Sequence, residues 1–110
     1  MSAFDERERA LEDKFKHDQE LQFRIHARRN KILGLWAARL MRLPALEYDG
    51  YAKSLVMTEV DQHGGSEAVI RKLLTDFEDR GVEISEHRIR RHLTELQELA
   101  RKEVMSEVKG

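Results

Sequence analysis

The sequence predicts an all-α protein: a four-helix antiparallel bundle with a long N-terminal helix whose tip, about residues 1–19, is partly ordered or exposed. The 110-residue chain, enough for one small domain, contains a single proline. Apolar residues recur at helical spacing in four segments, and short breaks separate these segments. No segment alternates apolar and polar residues as a strand does, so packing the four helices against one another is the simplest way to bury their apolar faces.

The first predicted helix extends from about Ser2 to about Arg42. No glycine precedes Gly34 and no proline precedes Pro44, so nothing interrupts the helix within this range. Acidic residues four positions before basic ones stabilise its exposed surface, as at Glu12 and Lys16. Pro44 ends the helix because it disfavours helical geometry at the preceding residue.

The apolar face of this helix changes character near Gln19. Phe4, Leu11 and Phe15 lie within roughly 40° of one another around the helix axis, which is too narrow for a face that packs on a core. From residue 21 onward the face widens to a sector of roughly 120°, formed by Leu21, Ile25, Ile32, Leu33, Trp36, Leu40 and Leu43. We therefore divide the chain into an N-terminal segment, residues 1–20, and a helical bundle domain, residues 21–108.

Three further helices are predicted from their apolar patterns and end signals. The second extends from about Glu47 to Val60, and the third, capped by Ser66, from Glu67 to Arg80. Gly81 is suited to a left-handed conformation at the end of the third helix. Ser85 caps the last helix, whose predicted apolar stripe consists of Ile89, Leu93, Leu96, Leu99, Ala100 and Val104.

The net charge of −1 conceals a segmental pattern. Residues 1–20 contain seven acidic and four basic residues, whereas residues 21–42 contain six basic and no acidic residues. The acidic tip could fold back over this basic stem in the free protein, with a modest, salt-screened gain. Because acidic neighbours can neutralise the stem within the molecule, its charge alone does not predict binding to nucleic acid.

Several classes of protein are disfavoured. The chain has no cysteine, no apolar run long enough to cross a bilayer and no signal-peptide pattern, so we expect an intracellular protein. It has no glycine-rich phosphate loop and no cysteine nucleophile, and its five histidines lack the spacing of a helical zinc site. We therefore expect no enzymatic activity, no metal site and no cofactor.

Three residues of the basic stem permit more than one interpretation. Arg29 lies within the apolar sector; its guanidinium could reach an acidic residue of a neighbouring helix, or it could contact a partner or an anionic ligand. Gly34 costs about 1 kcal/mol relative to alanine in a helix, so we expect another backbone to approach it closely. Trp36 is expected in the core.

The segment LLTDFEDRGVEISEHRIRRHLTEL permits a helix-turn-helix interpretation, with Arg88, Arg90 and Arg91 on the second helix. Glu83 and Glu86 argue against this interpretation, because their negative charges lie where DNA phosphates would approach. A nucleic-acid-binding module of this kind, or a generic helical adaptor, is the alternative to the function considered next.

The sequence resembles the zeta subunit family, inhibitors of the F-type ATP synthase in alphaproteobacteria. The resemblance is carried by FDERERALEDKFKHDQELQFRIHARRNKILGLWAA, then YAKSLV, RKL and the GVEIS turn before the last helix. It implies a four-helix bundle with an N-terminal inhibitory segment, no catalysis, and the catalytic head of the ATP synthase as partner. It also implies a cytoplasmic protein held at the inner membrane through that enzyme, without nucleic-acid binding or membrane insertion.

By this resemblance, the N-terminal helix enters a catalytic interface of the head and blocks hydrolysis while permitting synthesis. The narrow apolar seam would supply the anchors, with charged neighbours beside them. The candidate contacts are Phe4, Arg7, Glu8, Leu11, Glu12 and Phe15. The candidate regulatory anion or internal ion-pair contacts are Arg28, Arg29 and Lys31, and a nucleotide remains open as a regulatory ligand there.

Overall fold

A computed structural model describes residues 3–62 and 64–109, except for the side chain of Phe4. Met1, Ser2, His63 and Gly110 lie outside the described residues. The described chain forms four α-helices and no strand, which confirms the all-α prediction. The helices are α1 (Ala3–Leu40), α2 (Tyr48–Asp61), α3 (Ser66–Asp79) and α4 (Glu86–Lys109), and a short 3₁₀ helix (Ala45–Glu47) precedes α2.

Helix α1 gives the molecule its elongated shape. Its 38 residues span about 57 Å, and the longest dimension of the chain is 63 Å. The helix continues without a break through Gln19 and Glu20. The acidic tip therefore extends away from the basic stem, and the expectation that it folds back over the stem is wrong for this conformation.

Helix α1 ends two residues earlier than predicted. Arg42 has a positive φ of 56°, and the backbone N–H of Leu43 donates to the carbonyl oxygen of Ala38 at 3.1 Å. This is the hydrogen-bonding pattern of a Schellman motif, formed here without glycine. The turn brings Leu43 back onto the core before Pro44 starts the connection to α2.

The structure confirms one of the two predicted serine N-caps, that of α4, and not the other, that of α3. Ser66 is the first residue of α3 and the N-cap is Gly65, without a side-chain hydrogen bond. The predicted Ser66 cap is therefore wrong. Ser85 accepts a hydrogen bond from the backbone N–H of Arg88 at 3.1 Å, as expected of a cap. Gly81, at φ 68°, adopts the predicted left-handed conformation after α3.

The core lies between the stem of α1 and the other three helices. Leu33, Leu55, Leu73, Phe77 and Ile89 are among its fully buried side chains. Trp36 is half-buried against this core and meets the Phe77 ring edge-on at 5.9 Å.

The structure corrects the predicted burial of two leucines, which were placed on apolar faces. Leu99 is 45% exposed and Leu40 is 36% exposed. Leu99 lies about 100° around α4 from the buried Ala100, at the edge of the stripe. Leu40 is the last residue of α1, where the chain turns away toward α2.

Helix α1 packs chiefly against α2 and α4, and it approaches α2 closely at Gly34. A Cβ atom built on Gly34 would lie 2.6 Å from the Cα atom of Ala52. That separation is shorter than any normal carbon contact, and the atom it meets belongs to the backbone. The expectation of a close backbone approach at Gly34 is confirmed.

Gly34→Ala is expected to lower the free energy of unfolding by about 1–3 kcal/mol, because α1 and α2 must separate to admit the methyl group. The gain of about 1 kcal/mol in helix propensity does not offset this loss. Urea denaturation followed by circular dichroism measures the change.

Gly50→Ala is the matched control. Gly50 lies in α2, and a Cβ atom built there meets nothing within 4 Å. This substitution should stabilise the protein by up to about 1 kcal/mol. Equal effects of the two substitutions would contradict the importance of the close approach.

Candidate functional site

The N-terminal part of α1 is an exposed helix. Every side chain described from Ala3 to Glu20 is exposed, including the large apolar residues Leu11 and Phe15, each 64% exposed. The predicted contacts Arg7, Glu8 and Glu12 lie on the same segment and are also exposed. The structure thus brings these predicted site residues together on a helix that is outside the core.

The bundle begins where the tip ends. Leu21 is half-buried and packs against a small cluster formed by Ile25, Ala100 and Val104. These contacts attach the first turns of the stem to the C-terminal half of α4. The part of α1 before them is about 26 Å long, and it extends from the bundle as a helix.

The basic stem is partly neutralised by α4. Arg24 pairs with Glu107 at 2.9 Å, and Arg28 contacts both Glu103 at 3.1 Å and Glu107 at 2.6 Å. The hydrogen bonds that Arg28 donates to Glu107 and Glu103 raise the pKa of Arg28. The internal contacts of Arg28 are therefore carboxylates of the last helix, which also hold α4 antiparallel to α1.

Arg29 forms a buried polar cluster that joins three helices. Its side chain is 2% exposed and pairs with Glu59 of α2 at 2.5 Å. Its Nη1 donates to Gln97 of α4 at 2.9 Å, and its Nε donates to the neighbouring Asn30 at 3.0 Å. The Arg29 guanidinium therefore pairs with residues of its own chain, as expected of a buried charge.

Glu59 is the acceptor at the centre of this cluster. Its carboxylate accepts hydrogen bonds from Arg29, from His26 Nδ1 at 2.7 Å and from Asn30 at 3.3 Å. Burial opposes ionisation, but the hydrogen bond from His26 and the charge of Arg29 outweigh it and lower the pKa of Glu59 to about 2. Burial lowers the pKa of Arg29, against the opposing effect of Glu59.

A groove lies beside this cluster, between α1 and α2, and His26, Asn30 and Glu59 of the cluster form part of its wall. Its lining includes Phe23, Ala27, Val56 and Val60, and Phe23 is 57% exposed. Lys31 lies at the continuation of the groove along α1. Lys31 is exposed and forms no ion pair with the residues that the structure describes.

The family model described as ATPase inhibitor subunit zeta matches residues 1–103. The chain belongs to this family. The match covers the exposed tip, the basic stem and most of α4, so the tip and the bundle are both part of the family's pattern. A search of curated proteins gives no match.

Three further features of the described chain concern membranes, metals and nucleic acid. No helix there is long and apolar enough to cross a membrane. No group of three or more metal-ligating side chains comes together within the ranges 3–62 and 64–109. In the segment predicted as a possible helix-turn-helix, Arg90 contacts Glu67 at 2.7 Å and Glu86 at 2.9 Å, which reduces the charge available to a phosphate backbone.

Sequence reasoning did not identify Glu59, Asn30, Gln97 or Phe23 as notable residues. The position of Arg29 in the apolar sector was the signal that a buried polar group needs partners. Their identity could not be read from the sequence, because Glu59 and Gln97 lie on other helices. Phe23 faces away from the apolar sector of α1, and its importance depends on where α2 lies.

Glu59→Gln is expected to lower the free energy of unfolding at pH 7 by about 3 kcal/mol, because it leaves the buried Arg29 without a counter-charge. The pKa of Glu59 falls from 4.5 to about 2 on folding. Its contribution is therefore fully present above pH 4.5 and is lost as the pH falls toward 2. The pH-dependent part of the difference between the wild type and the variant should disappear over that range in urea titrations.

Glu103→Gln is the control for this prediction. Glu103 pairs with Arg28 near the surface, and removing such a pair should cost less than about 1 kcal/mol. Similar losses for the two variants at pH 7, or a difference between wild type and Glu59→Gln that does not decrease between pH 4.5 and pH 2, would contradict the predicted contribution of the Arg29–Glu59 pair.

Proposed function

We propose that this chain inhibits ATP hydrolysis by the F-type ATP synthase, by inserting the tip of α1 into a catalytic interface of the enzyme's head. The observation that carries the proposal is the exposed tip, a helix outside the bundle with Leu11 and Phe15 uncovered. Membership in a family of ATPase inhibitor subunits supports it. The proposed contacts are Phe4, Arg7, Glu8, Leu11, Glu12 and Phe15; the side chain of Phe4 lies outside the described residues.

The tip is suited to a groove between two protein surfaces. Leu11 and Phe15 follow one another on nearly the same side of the helix, and charged residues flank them. Burying the two side chains would contribute about 1.5–3 kcal/mol each. Because the segment is already helical, little ordering would be needed when it binds.

The bundle sets how far the tip can enter. The two shorter dimensions of the chain are 31 and 24 Å, and an isolated helix is about 10–12 Å wide. A cleft that accepts the helix would therefore exclude the bundle. Insertion would stop near Leu21, with about 26 Å of helix inside the head.

The inserted helix would act as a rigid obstacle to the cycle of the head. Hydrolysis requires catalytic interfaces to open and close in turn, and a helix held in one interface prevents its closure. Rotation in the synthetic direction would open the occupied interface and release the helix. This direction dependence follows from the resemblance to the zeta subunits, and the chain would lie in the cytoplasm, at the inner membrane through its partner.

Deleting residues 2–19 is expected to abolish inhibition and leave the bundle folded, because the described core contacts begin at Leu21. The double substitution of Leu11→Ala with Phe15→Ala should weaken inhibition by about two orders of magnitude or more, and adding Phe4→Ala should weaken it further. The melting temperature should change little. The measurement is ATP hydrolysis by the purified head at increasing inhibitor concentration.

Leu46→Ala with Leu99→Ala is the matched control, since both residues are exposed leucines outside the tip. This protein should inhibit as the wild type does. Full inhibition by the tip-deleted chain would refute the proposal. A large loss of thermal stability in the Leu11 and Phe15 variant would instead place those residues in the core.

A further inference from the structure

Exposed apolar side chains are grouped on the side of the bundle where α1 passes beside α2. Phe23 of α1 is 57% exposed, and Val60 and Met57 of α2 are 51% and 42% exposed. Phe23 and Val60 line the groove of about 250 Å³ between the two helices, together with Ala27 and Val56. Met57 lies within about 100° of Val56 and Val60 around α2. We call the surface formed by these five residues the α1–α2 face.

The polar wall of the groove is already satisfied within the chain. His26 and Asn30 both contact the carboxylate of Glu59. No buried side-chain nitrogen or oxygen of the described chain lacks a hydrogen-bond partner. The groove therefore does not require a polar ligand, and what a partner would gain from it is contact with the apolar residues of the α1–α2 face.

Unpaired positive charges lie at one end of the α1–α2 face. Lys31 is one turn before Gly34, and Lys53 directly follows Ala52. A Cβ atom on Gly34 would meet Ala52, so the two lysines lie at the same end of the groove. Lys53 is also on the same side of α2 as Met57, about 40° away. Both lysines are exposed, and neither forms an ion pair with the residues that the structure describes.

The acidic residues beside the α1–α2 face lie at its other end, near the tip. Glu20 is three positions before Phe23, and Asp61 directly follows Val60; both acidic residues are exposed. The face is therefore apolar in the middle and positive at the end away from the tip. A segment complementary to it has apolar side chains in the middle and carboxylates at that positive end.

The α1–α2 face begins where the inserted part of α1 would end. Phe23 is two positions after Leu21, near which insertion would stop, and it lies about 80° around the helix from Phe15. With the tip inserted, the surface beside residues 23–31 faces the mouth of the cleft. The protein surface nearest to the α1–α2 face in that complex therefore belongs to the head.

We propose that the α1–α2 face is a second contact with the head of the ATP synthase, occupied by an amphipathic acidic segment at the mouth of the cleft. The apolar side chains of that segment cover Phe23 and Val60, and its carboxylates pair with Lys31 and Lys53. The proposal rests on the proposed function and adds to it. The tip blocks the catalytic cycle, and the α1–α2 face holds the bundle at the mouth, so the inhibitor dissociates more slowly than the tip alone would.

Photochemical cross-linking tests which surface covers the α1–α2 face. The chain has no cysteine, so Met57→Cys can carry a single benzophenone label. In a mixture with the purified head, this label should attach to the head, to a segment that contains both apolar and acidic residues. Leu46→Cys is the matched control, because Leu46 is also exposed but follows the end of α1 that is farthest from the tip.

Three results of this experiment would overturn the proposal. The first is equal attachment to the head from positions 57 and 46. The second is attachment from position 57 only to another copy of the chain, and the third is attachment to a segment without acidic residues.

The double substitution of Phe23→Ala with Val60→Ala tests the apolar contact. It should raise the concentration for half-maximal inhibition of ATP hydrolysis at least about tenfold. Inhibition at saturation should stay complete, because the tip is intact, and the melting temperature should change little, because both residues are exposed. Leu46→Ala should behave as the wild type. Wild-type potency of the double variant, or a lower maximal inhibition, would overturn the proposal.

The double substitution of Lys31→Glu with Lys53→Glu tests the charged contact. It should raise the concentration for half-maximal inhibition about tenfold at low salt, and the difference from the wild type should shrink at high salt. Lys102→Glu with Lys109→Glu is the matched control, since it makes the same change of charge at exposed lysines of α4. Equal effects of the two double variants would overturn the proposal.

The experiments separate this proposal from the proposed function. Failure of the wild type to inhibit would refute the proposed function, whereas cross-linking from position 57 would still report the contact, because it does not depend on inhibition. Inhibition by the wild type together with unchanged potency of both double variants would refute the second contact alone.

Discussion

The structure depends on the need to pair one buried charge. Arg29 lies in the stem of α1, where its side chain is enclosed by the bundle, and an unpaired guanidinium there would be strongly unfavourable. Glu59 supplies the counter-charge from α2, and Gln97 supplies an oxygen from α4. The arrangement satisfies the buried arginine only when all three helices are in register. It therefore sets the position of α1 on the bundle, and with it the direction in which the tip extends.

The close contact at Gly34 also fixes the position of α1 against α2. About one and a half turns beyond Arg29, the absence of a side chain lets α1 approach the backbone of α2 at Ala52. The polar cluster and this close backbone contact both join α1 to α2, and they hold this pair of helices at two levels along the stem. The stem is therefore rigidly attached, whereas the tip has no such requirement and can present Leu11 and Phe15 to another surface.

The buried stem and the exposed tip of α1 differ in what stabilises them. The stem is stabilised by tertiary contacts that its own residues specify. The described tip is not part of the described core clusters, and its helix is supported by continuity with the stem. Substitutions in the tip should consequently affect binding more than folding, which is the separation that a regulatory segment requires.

The amino-acid sequence by itself determined the four helices and which residues of the first one share a side. Periodicity, Pro44, Gly81 and Ser85 are local signals, and they located most helix ends to within one or two residues. The narrow seam of Leu11 and Phe15 was also visible, because the geometry of a single helix decides which residues share a side. Errors arose where a signal was ambiguous locally, as at Ser66, or where a residue lay at the edge of a stripe, as at Leu99.

The tertiary structure alone decided which side chains pair with Arg29. Nothing in the sequence pairs Arg29 with Glu59 and Gln97, since these residues lie 30 and 68 positions away along the chain. The groove beside Phe23 likewise exists only because α2 packs next to it. Helix periodicity describes one element at a time, whereas the neutralisation of a buried charge and the shape of a groove depend on how separate elements pack together.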